Sequence, residues 1–427
     1  MQQVTGGVCA PRGFSAGGIW CGIRKKNDKR DLALIVSSVP AAAAAMYTTN
    51  RVEAASIQIT REHLRSGRCQ AIICNSGNAN ACTGEAGLAA ARRMAAAAAK
   101  ALNLEEHLVA VASTGVIGVP LPIERVEAHI TELVQNLRND EAGHAAALEA
   151  IMTTDTRKKE VAIELMLSGV PVRIGAMAKG AGMIHPNMAT MLCFITTDAA
   201  IAPSLLEVAL RQAVSRSFNR VSVDGDTSTN DTVLVLANGK AGNRPIDTDG
   251  PDFQLFATAL EEVCITLARM IARDGEGATK LVTCTVSGAE HEEDAAALAR
   301  AVISSSLVKA AMFGADANWG RILCAMGYSG VPFDPSFVRV RFASGSGNEE
   351  ILVCEGGAAI PFSEEKAKHI LSQEEVQILI DLGHKASTST DTPRDTKGGA
   401  GQRGHAATCW GCDLTYEYVK INGDYRS

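Results

Sequence analysis

The sequence predicts an α/β protein in which a sheet layer is covered by helices. Three observations predict it. Short apolar runs of β-type composition recur along the chain. Longer segments with helical periodicity lie between them. The apolar fraction, 46% of 427 residues, is carried by Ala and Val, beside abundant Gly, while aromatics reach only 4%, a composition suited to close packing of sheets and helices through small side chains. With 21% charged residues the chain falls among ordinary globular proteins, which excludes disorder for its bulk.

In chain order, strands are expected at 32–38 and 71–74, then a helix over Gly84–Leu102, and strands at 109–112, 161–167, 172–178 and Leu192–Thr197. A helix over 203–217 follows, with Pro203 in the first turn, where its missing N–H would have no partner anyway. The strand Thr232–Ala237 leads to a helix over 252–273, in which Leu255, Leu260, Val263, Leu267, Met270 and Ile271 form a core-facing stripe. Strands at 281–286 and 338–342 flank a helix over 292–305. A last helix is expected over 363–382, opened by Ser363 as N-cap with Glu364 and Glu365 at the positive end of the dipole. Residues 386–407, rich in Ser, Thr, Asp, Pro and Gly, read as a flexible surface loop. The tail from Trp410 to Tyr425 is expected to dock on the body through Leu414, Tyr416, Tyr418, Val419 and Ile421.

A net charge of −6 without a clustered basic face argues against nucleic acid as a partner. Twelve cysteines scattered from Cys9 to Cys412, without a basic and apolar leader at the N-terminus, suit reduced thiols and a cytoplasmic location. The Ala-rich run at 95–99 is bounded by Arg92, Arg93 and Lys100, and no stretch reaches the ~18 apolar residues of a membrane span. Cys409 and Cys412 have CxxC spacing but lack a second pair or a βαβ context, so redox or zinc chemistry is not expected there. HExxH and GxxxxGK[ST] are absent, no GxGxxG follows an expected strand, and neither a metal nor a bound cofactor is expected. The Gly-rich stretch 274–280, DGEGATK, reads as a turn or as a ligand contact.

The most unusual segment is 177–198, MAKGAGMIHPNMATMLCFITTD. It leaves a strand through a Lys-Gly-Ala-Gly turn, passes a Pro and enters an apolar strand just after Thr190. An ordinary strand-loop-strand is one reading of it. The other is chemical: a Thr held at the start of a strand can attack the carbonyl before it, and once that peptide is cut its own α-amine, with a reference pKa of ~7.7–8.0, can serve as the base its hydroxyl needs.

This segment resembles the signature of the ornithine acetyltransferase (glutamate N-acetyltransferase) family. Six further motifs stand in that family's order: NSGNANACTG at 75–84, STGVIG at 113–118, MTTDT at 152–156, DGDTSTND at 224–231, DGEGATK at 274–280 and DLTYEYVKIN at 413–422. The resemblance implies a layered sandwich of sheets between helices, of the self-processing N-terminal-nucleophile type. It implies cleavage between Ala189 and Thr190 into an α fragment, 1–189, and a β fragment, 190–427, assembled as two of each. Thr190 would be the nucleophile, Thr114 and Gly115 the oxyanion hole, and Thr153 (or its neighbour Thr154), Lys179, Thr190, Glu276, Asn422 and Ser427 the substrate contacts. Ser427 stands where the family usually has Thr, and keeps the hydroxyl.

The implied reaction takes acetyl from N2-acetylornithine onto Thr190, releases ornithine and passes the acetyl to glutamate, a ping-pong step of arginine biosynthesis. Lys179 would suit an α-carboxylate and Glu276 an amine. Acetyl-CoA is expected as a second donor; a monofunctional enzyme without that activity is the alternative, as are an uncleaved amino-acid-binding protein and a dithiol oxidoreductase centred on Cys409 and Cys412.

Overall fold

Strands form where apolar residues alternate or run unbroken, and the computed structural model, which describes residues 1–25, 29–185, 191–383 and 404–423, pairs them into two sheets in two units. The first unit comprises Met1–Asn219 and Asp224–Glu276. Its nine strands are β1 (Gln2–Gln3), β2 (Phe14–Ile19), β3 (Leu32–Tyr47), β4 (Arg68–Asn78), β5 (Val109–Val116), β6 (Lys159–Leu167), β7 (Val170–Lys179), β8 (Leu192–Thr197) and β10 (Thr232–Ala237), β9 belonging to the other unit. They run in the order β1-β6-β7-β8-β10-β3-β4-β5, with β2 also on β3.

The long strand β3 lets this sheet fold over itself. Its register breaks between Val36 and Ala41, where Pro40 has no N–H to give to a ladder. The half before the break pairs with β2 and β4; after it Ala41 and Ala42 still pair with β4, and 42–47 pair with β10. Side chains of the two halves then meet in one core: Ile35, Ile72, Cys74 and Ala112 pack with Met177, Phe194, Leu234 and Leu236. Alternation sends Leu34, Ile73 and Val111 to the opposite face, against helices α1 (Ala55–His63), α2 (Gly84–Leu102) and α3 (Ile123–Gln135). Helix α4 (Glu141–Ile151) contributes Ala147, Leu148 and Ile151 to the inner core. Helices α5 (Pro203–Arg216) and α6 (Pro251–Arg273) pack on each other and on β3, β6 and β7. The expected sandwich of sheets between helices is therefore present.

The second unit comprises Arg220–Val223 and the described part of Gly277–Tyr425. Strands β9 (Val221–Ser222), β11 (Leu281–Ala289), β12 (Arg339–Ser344), β13 (Glu350–Glu355), β14 (Ala358–Ala359), β15 (Glu375–Asp381) and β16 (His405–Cys412) lie in the order β14-β13-β12-β15-β11-β16-β9. Val282, Cys284, Val286, Val376, Ile378 and Ile380 turn to a core shared with α7 (Glu292–Ser304), α8 (Ser306–Phe313), α9 (Trp319–Gly327) and α10 (Glu364–Leu371).

Three expectations change here. The helix predicted over 363–382 stops at Leu371 and residues 375–381 form β15, because Val376, Ile378 and Ile380 follow a period of two that merges by eye with Ile370 and Leu371. The predicted loop ends early: His405, Ala406 and Ala407 already pair with β11 through their main chains; its earlier part, 386–403, lies outside the described residues. The tail forms β16 and then helix α11 (Tyr416–Asn422), but Tyr416 and Val419 are 83% and 69% exposed. Its anchor is polar instead: the buried Asp413 accepts the N–H groups of Thr279 and Lys280 at 2.8 and 3.0 Å and the Thr279 hydroxyl at 2.5 Å.

Candidate active site

Strand pairing brings the ends of β7, β8 and β10 to one edge of the first unit: Lys179 faces Leu192, and Leu192 faces Thr232. Lys179 is the last residue of β7, 3% exposed, and its Nζ donates to the Thr114 hydroxyl at 3.3 Å. Burial lowers the Lys179 pKa and Lys159 adds to the effect, while Asp155 and Asp231 oppose it.

The backbone around Lys179 is held by a buried ionic chain. Asp155 accepts from the N–H of Gly180 at 2.7 Å, from the N–H of Thr153 at 2.9 Å and from Lys159 Nζ at 2.7 Å. Lys159 Nζ also donates to Asp274 at 2.5 Å, and Asp274 accepts the N–H groups of Thr156 and Arg157 and the Thr156 hydroxyl. Burial raises the Asp155 pKa, but the charges of Lys179 and Lys159 and the Gly180 N–H outweigh it and the carboxyl ends below its ordinary range. One chain of contacts thereby ties together the segments 153–159, 179–180 and 274.

Thr114 and Gly115 close β5, beside the register irregularity of β4 at Gly77 and Asn78. Gly115 has φ +137°, and a Cβ on it would lie 2.3 Å from the Gly77 carbonyl carbon, so glycine is required there. The preceding peptide is pinned from both sides: Asn230 Nδ2 donates to the carbonyls of Ser113 and Ala79, each at 2.7 Å, and Ser113 Oγ donates to Asn75 Oδ1 at 2.7 Å. Glu276 is 9% exposed, its N–H bonds the Ala181 carbonyl at 2.8 Å, and its carboxyl fills the space a side chain on Gly182 would need.

Of the residues expected from the sequence, Thr114, Gly115, Thr153, Lys179 and Glu276 therefore belong to one unit and are linked to the 179–182 turn or to one another. Asn422 is exposed on α11 of the second unit, with its Nδ2 on the Tyr418 carbonyl at 3.1 Å. Ala189, Thr190 and Ser427 lie outside the described residues. Cys409 and Cys412, three apart on β16, point to opposite faces of the sheet, and burial pushes the Cys409 thiol up to about 12, poor circumstances for a dithiol. No group of three His, Cys, Asp or Glu side chains among the described residues is arranged for a metal.

The supporting residues were not singled out from sequence. Asp155, Asp231, Asn230 and Asp274 sit inside motifs already noted, so a signal existed; Lys159 carries none. Asp231 is fully buried at the residue before β10, and its Oδ1 accepts the Met191 N–H at 2.9 Å. Burial raises its pKa well above the ordinary carboxylate value, against smaller opposing influences from the Met191 N–H, the Thr48 hydroxyl and Lys179.

A layered unit with a buried lysine and hydroxyl at its strand ends fits an enzyme of acyl transfer. The model of the ArgJ family matches residues 15–427, and the chain belongs to that family. A protein of Symbiobacterium thermophilum named arginine biosynthesis bifunctional protein ArgJ is 51% identical over 428 residues, covering all of both chains. One of the same name from Caldanaerobacter subterraneus subsp. tengcongensis is 48% identical over 427 residues, again covering both fully. The crystal structure of ornithine acetyltransferase complexed with ornithine, from Mycobacterium tuberculosis, is 40% identical and covers 43% of this chain and 97% of that one, with a TM-score of 0.40.

Proposed function

We propose that this enzyme transfers acetyl from N2-acetylornithine to glutamate through an acetyl ester on Thr190, yielding ornithine and N-acetylglutamate in arginine biosynthesis. The observation that carries the reading is the convergence of Thr114, Thr153, Lys179 and Glu276, from four distant motifs, around the end of β7. Membership of the ArgJ family, whose named relatives are bifunctional proteins of arginine biosynthesis, supports it.

In the maturation step the Thr190 hydroxyl adds to the Ala189 carbonyl, the C–N bond breaks as the hydroxyl proton passes to the departing nitrogen, and water hydrolyses the resulting ester. A free α-amine and hydroxyl are left on Thr190. In transfer, that amine takes the hydroxyl proton as Oγ attacks the acetyl carbonyl, the developing oxyanion is met by Thr114 and Gly115, and ornithine leaves with the proton. Glutamate then reverses the sequence. Lys179 pairs with the α-carboxylate that both amino acids carry, and Glu276 with the amine; Thr153, Asn422 and Ser427 complete the contacts. Acetyl-CoA is included as a second donor, in keeping with the bifunctional relatives.

The fragments 1–189 and 190–427 would stay together after cleavage. Strands β8 and β10, from the later fragment, lie between β7 and β3 of the earlier one and bond to both. Two of each fragment in the cytosol complete the reading.

The test is intact-mass analysis with an assay. Wild type should yield two masses meeting between Ala189 and Thr190, Thr190→Ala a single chain, and purified enzyme should form N-acetylglutamate from glutamate with N-acetylornithine or with acetyl-CoA. An uncleaved, inactive wild type would overturn the reading, and activity with N-acetylornithine alone would select the monofunctional form.

A further inference from the structure

Side chains alternate between the two faces of β4 and β5, and what they touch tells the faces apart. Ile72 and Cys74 of β4 and Ala110 and Ala112 of β5 enter the inner core together with Met177 of β7, whereas Ile73 and Val111 face the helices. Asn75 and Ser113 continue the helix-facing rows and meet there, Ser113 Oγ donating to Asn75 Oδ1 at 2.7 Å. Ser76 and Thr114 are register partners one step further on, so they end the two inner rows. Lys179 ends the inner row of Met177 and reaches the Thr114 hydroxyl at 3.3 Å.

Three polar side chains thus close one end of an apolar interior. Lys179 and Thr114 bond to each other, but Ser76 does not join them. It is fully buried, and among the described residues its hydroxyl has no hydrogen-bond partner. A hydroxyl buried in this way is unfavourable by itself and calls for an explanation. Neighbouring strands lie roughly 4.8 Å apart, which sets the Ser76 side chain beside that of Thr114. The Lys179 charge reaches the same row: burial raises the pKa of the Cys74 thiol, two residues before Ser76, and Lys179 opposes that rise.

We propose that Ser76 is a substrate contact, its hydroxyl donating to the α-carboxylate that pairs with Lys179. This rests on the acetyl transfer proposed above and adds a second donor to its carboxylate site. A carboxylate suits the place because it carries only acceptors, has two oxygens for two donors, and brings the charge that a buried ammonium lacks. An ammonium has three N–H groups, so the contact with Thr114 leaves Lys179 able to take part. Both glutamate and N-acetylornithine carry the group, and the contact is made alike before and during acyl transfer. It therefore acts on binding and not on the chemical step.

Two measurements on the full-length enzyme decide it. In Ser76→Ala the KM values for glutamate and for N-acetylornithine should each rise about 10-fold, the scale of one hydrogen bond to a charged group, with kcat within about twofold of wild type. Its Tm should hold within about 2 °C, because the hydroxyl removed has no protein partner to strand. A crystal structure of the wild type with glutamate should place a carboxylate oxygen within ~3.0 Å of Ser76 Oγ. Unchanged KM values overturn the proposal, as does a rise confined to one substrate. A fall in kcat at constant KM also overturns it and assigns the hydroxyl to the oxyanion, and a markedly lowered Tm overturns it in favour of a structural role. If the variant fails to fold, the glutamate complex decides. A wild type that forms no N-acetylglutamate overturns the acetyl-transfer reading and this proposal together; an active wild type whose variant keeps both KM values overturns this one alone.

Discussion

The Lys179 ammonium stands 3.3 Å from the Thr114 hydroxyl, joining the end of β7 to the end of β5 from the two halves of the folded sheet. These residues are 65 positions apart in the chain. Their contact places a cation next to the hydroxyl assigned to the oxyanion hole. The lysine is nearly inaccessible, yet among the described residues it makes no direct ion pair of the kind Lys159 makes with Asp155 and Asp274, and it therefore suits an incoming carboxylate.

Replacing it tests that role. Lys179→Met should weaken both glutamate and N-acetylornithine, by about 10- to 100-fold in KM, the range for losing a hydrogen bond to a charged group. The fold should hold, with some loss of thermal stability because the buried Asp155 loses one of the charges that offset its burial. Steady-state kinetics with each substrate varied in turn checks this. A loss confined to one substrate would show two carboxylate sites.

Two glycines near the site should respond differently to alanine. At Gly115 the backbone is left-handed and the added carbon would strike backbone atoms of Gly77 and Asn78, so Gly115→Ala should cost more than about 3 kcal/mol and lower Tm as well as activity. At Gly182 the obstacle is the Glu276 carboxyl, a side-chain end that can swing aside. Gly182→Ala should keep its Tm within a few degrees and raise the KM of the amine-bearing substrate. Equal thermal losses in the two variants would contradict the distinction.

The buried chain around Asp155 makes a pH prediction. Its folded pKa lies below the unfolded value, so its contribution to stability is present above about pH 4 and is lost as pH falls further, toward the depressed folded pKa. Asp155→Asn leaves Lys159 with fewer counter-charges and should cost about 3–5 kcal/mol near pH 7. The gap between variant and wild type should narrow below pH 4 in denaturant melts. A gap independent of pH would show that shape and not charge is at stake.

The tail should depend on Asp413 and not on its exposed apolar residues. Asp413→Ala strands the Thr279 and Lys280 N–H groups and should cost about 2–4 kcal/mol. Tyr416→Ala and Val419→Ala should each stay within about 0.5 kcal/mol of wild type. Asn422→Ala, exposed on α11, should leave Tm unchanged and reduce kcat/KM if the residue touches substrate; unchanged kinetics would remove it from the site.

Much of the fold was legible because burial on both faces writes itself as continuous apolar runs: β8 and β10 stand as expected to the residue, β5 differs only in where it ends, and β7 is longer than expected at both ends. The helices over 55–63, 123–135 and 141–151 were missed, since their apolar residues are few or small and the face they bury is set by the sheet beneath. The second half of 363–382 was misread for a related reason. Strand period and helix period coincide over so few residues that the neighbouring strands β11 and β12 decide which one forms.

The sequence by itself determined the class of the protein, because the motifs carrying Thr114, Thr153, Lys179, Thr190 and Glu276, the residues proposed for its chemistry, are local strings whose order survives any folding. Only the tertiary structure decided which groups support them. Asp155, Lys159 and Asp274 form one buried chain although Asp274 is 115 residues from Lys159, and Asp231 reaches Met191 across 40. Such pairings come from strand order and from the folding of the sheet at Pro40. Burial then turns an ordinary lysine or aspartate into one whose charge must be answered, and no local string records which partner will answer it.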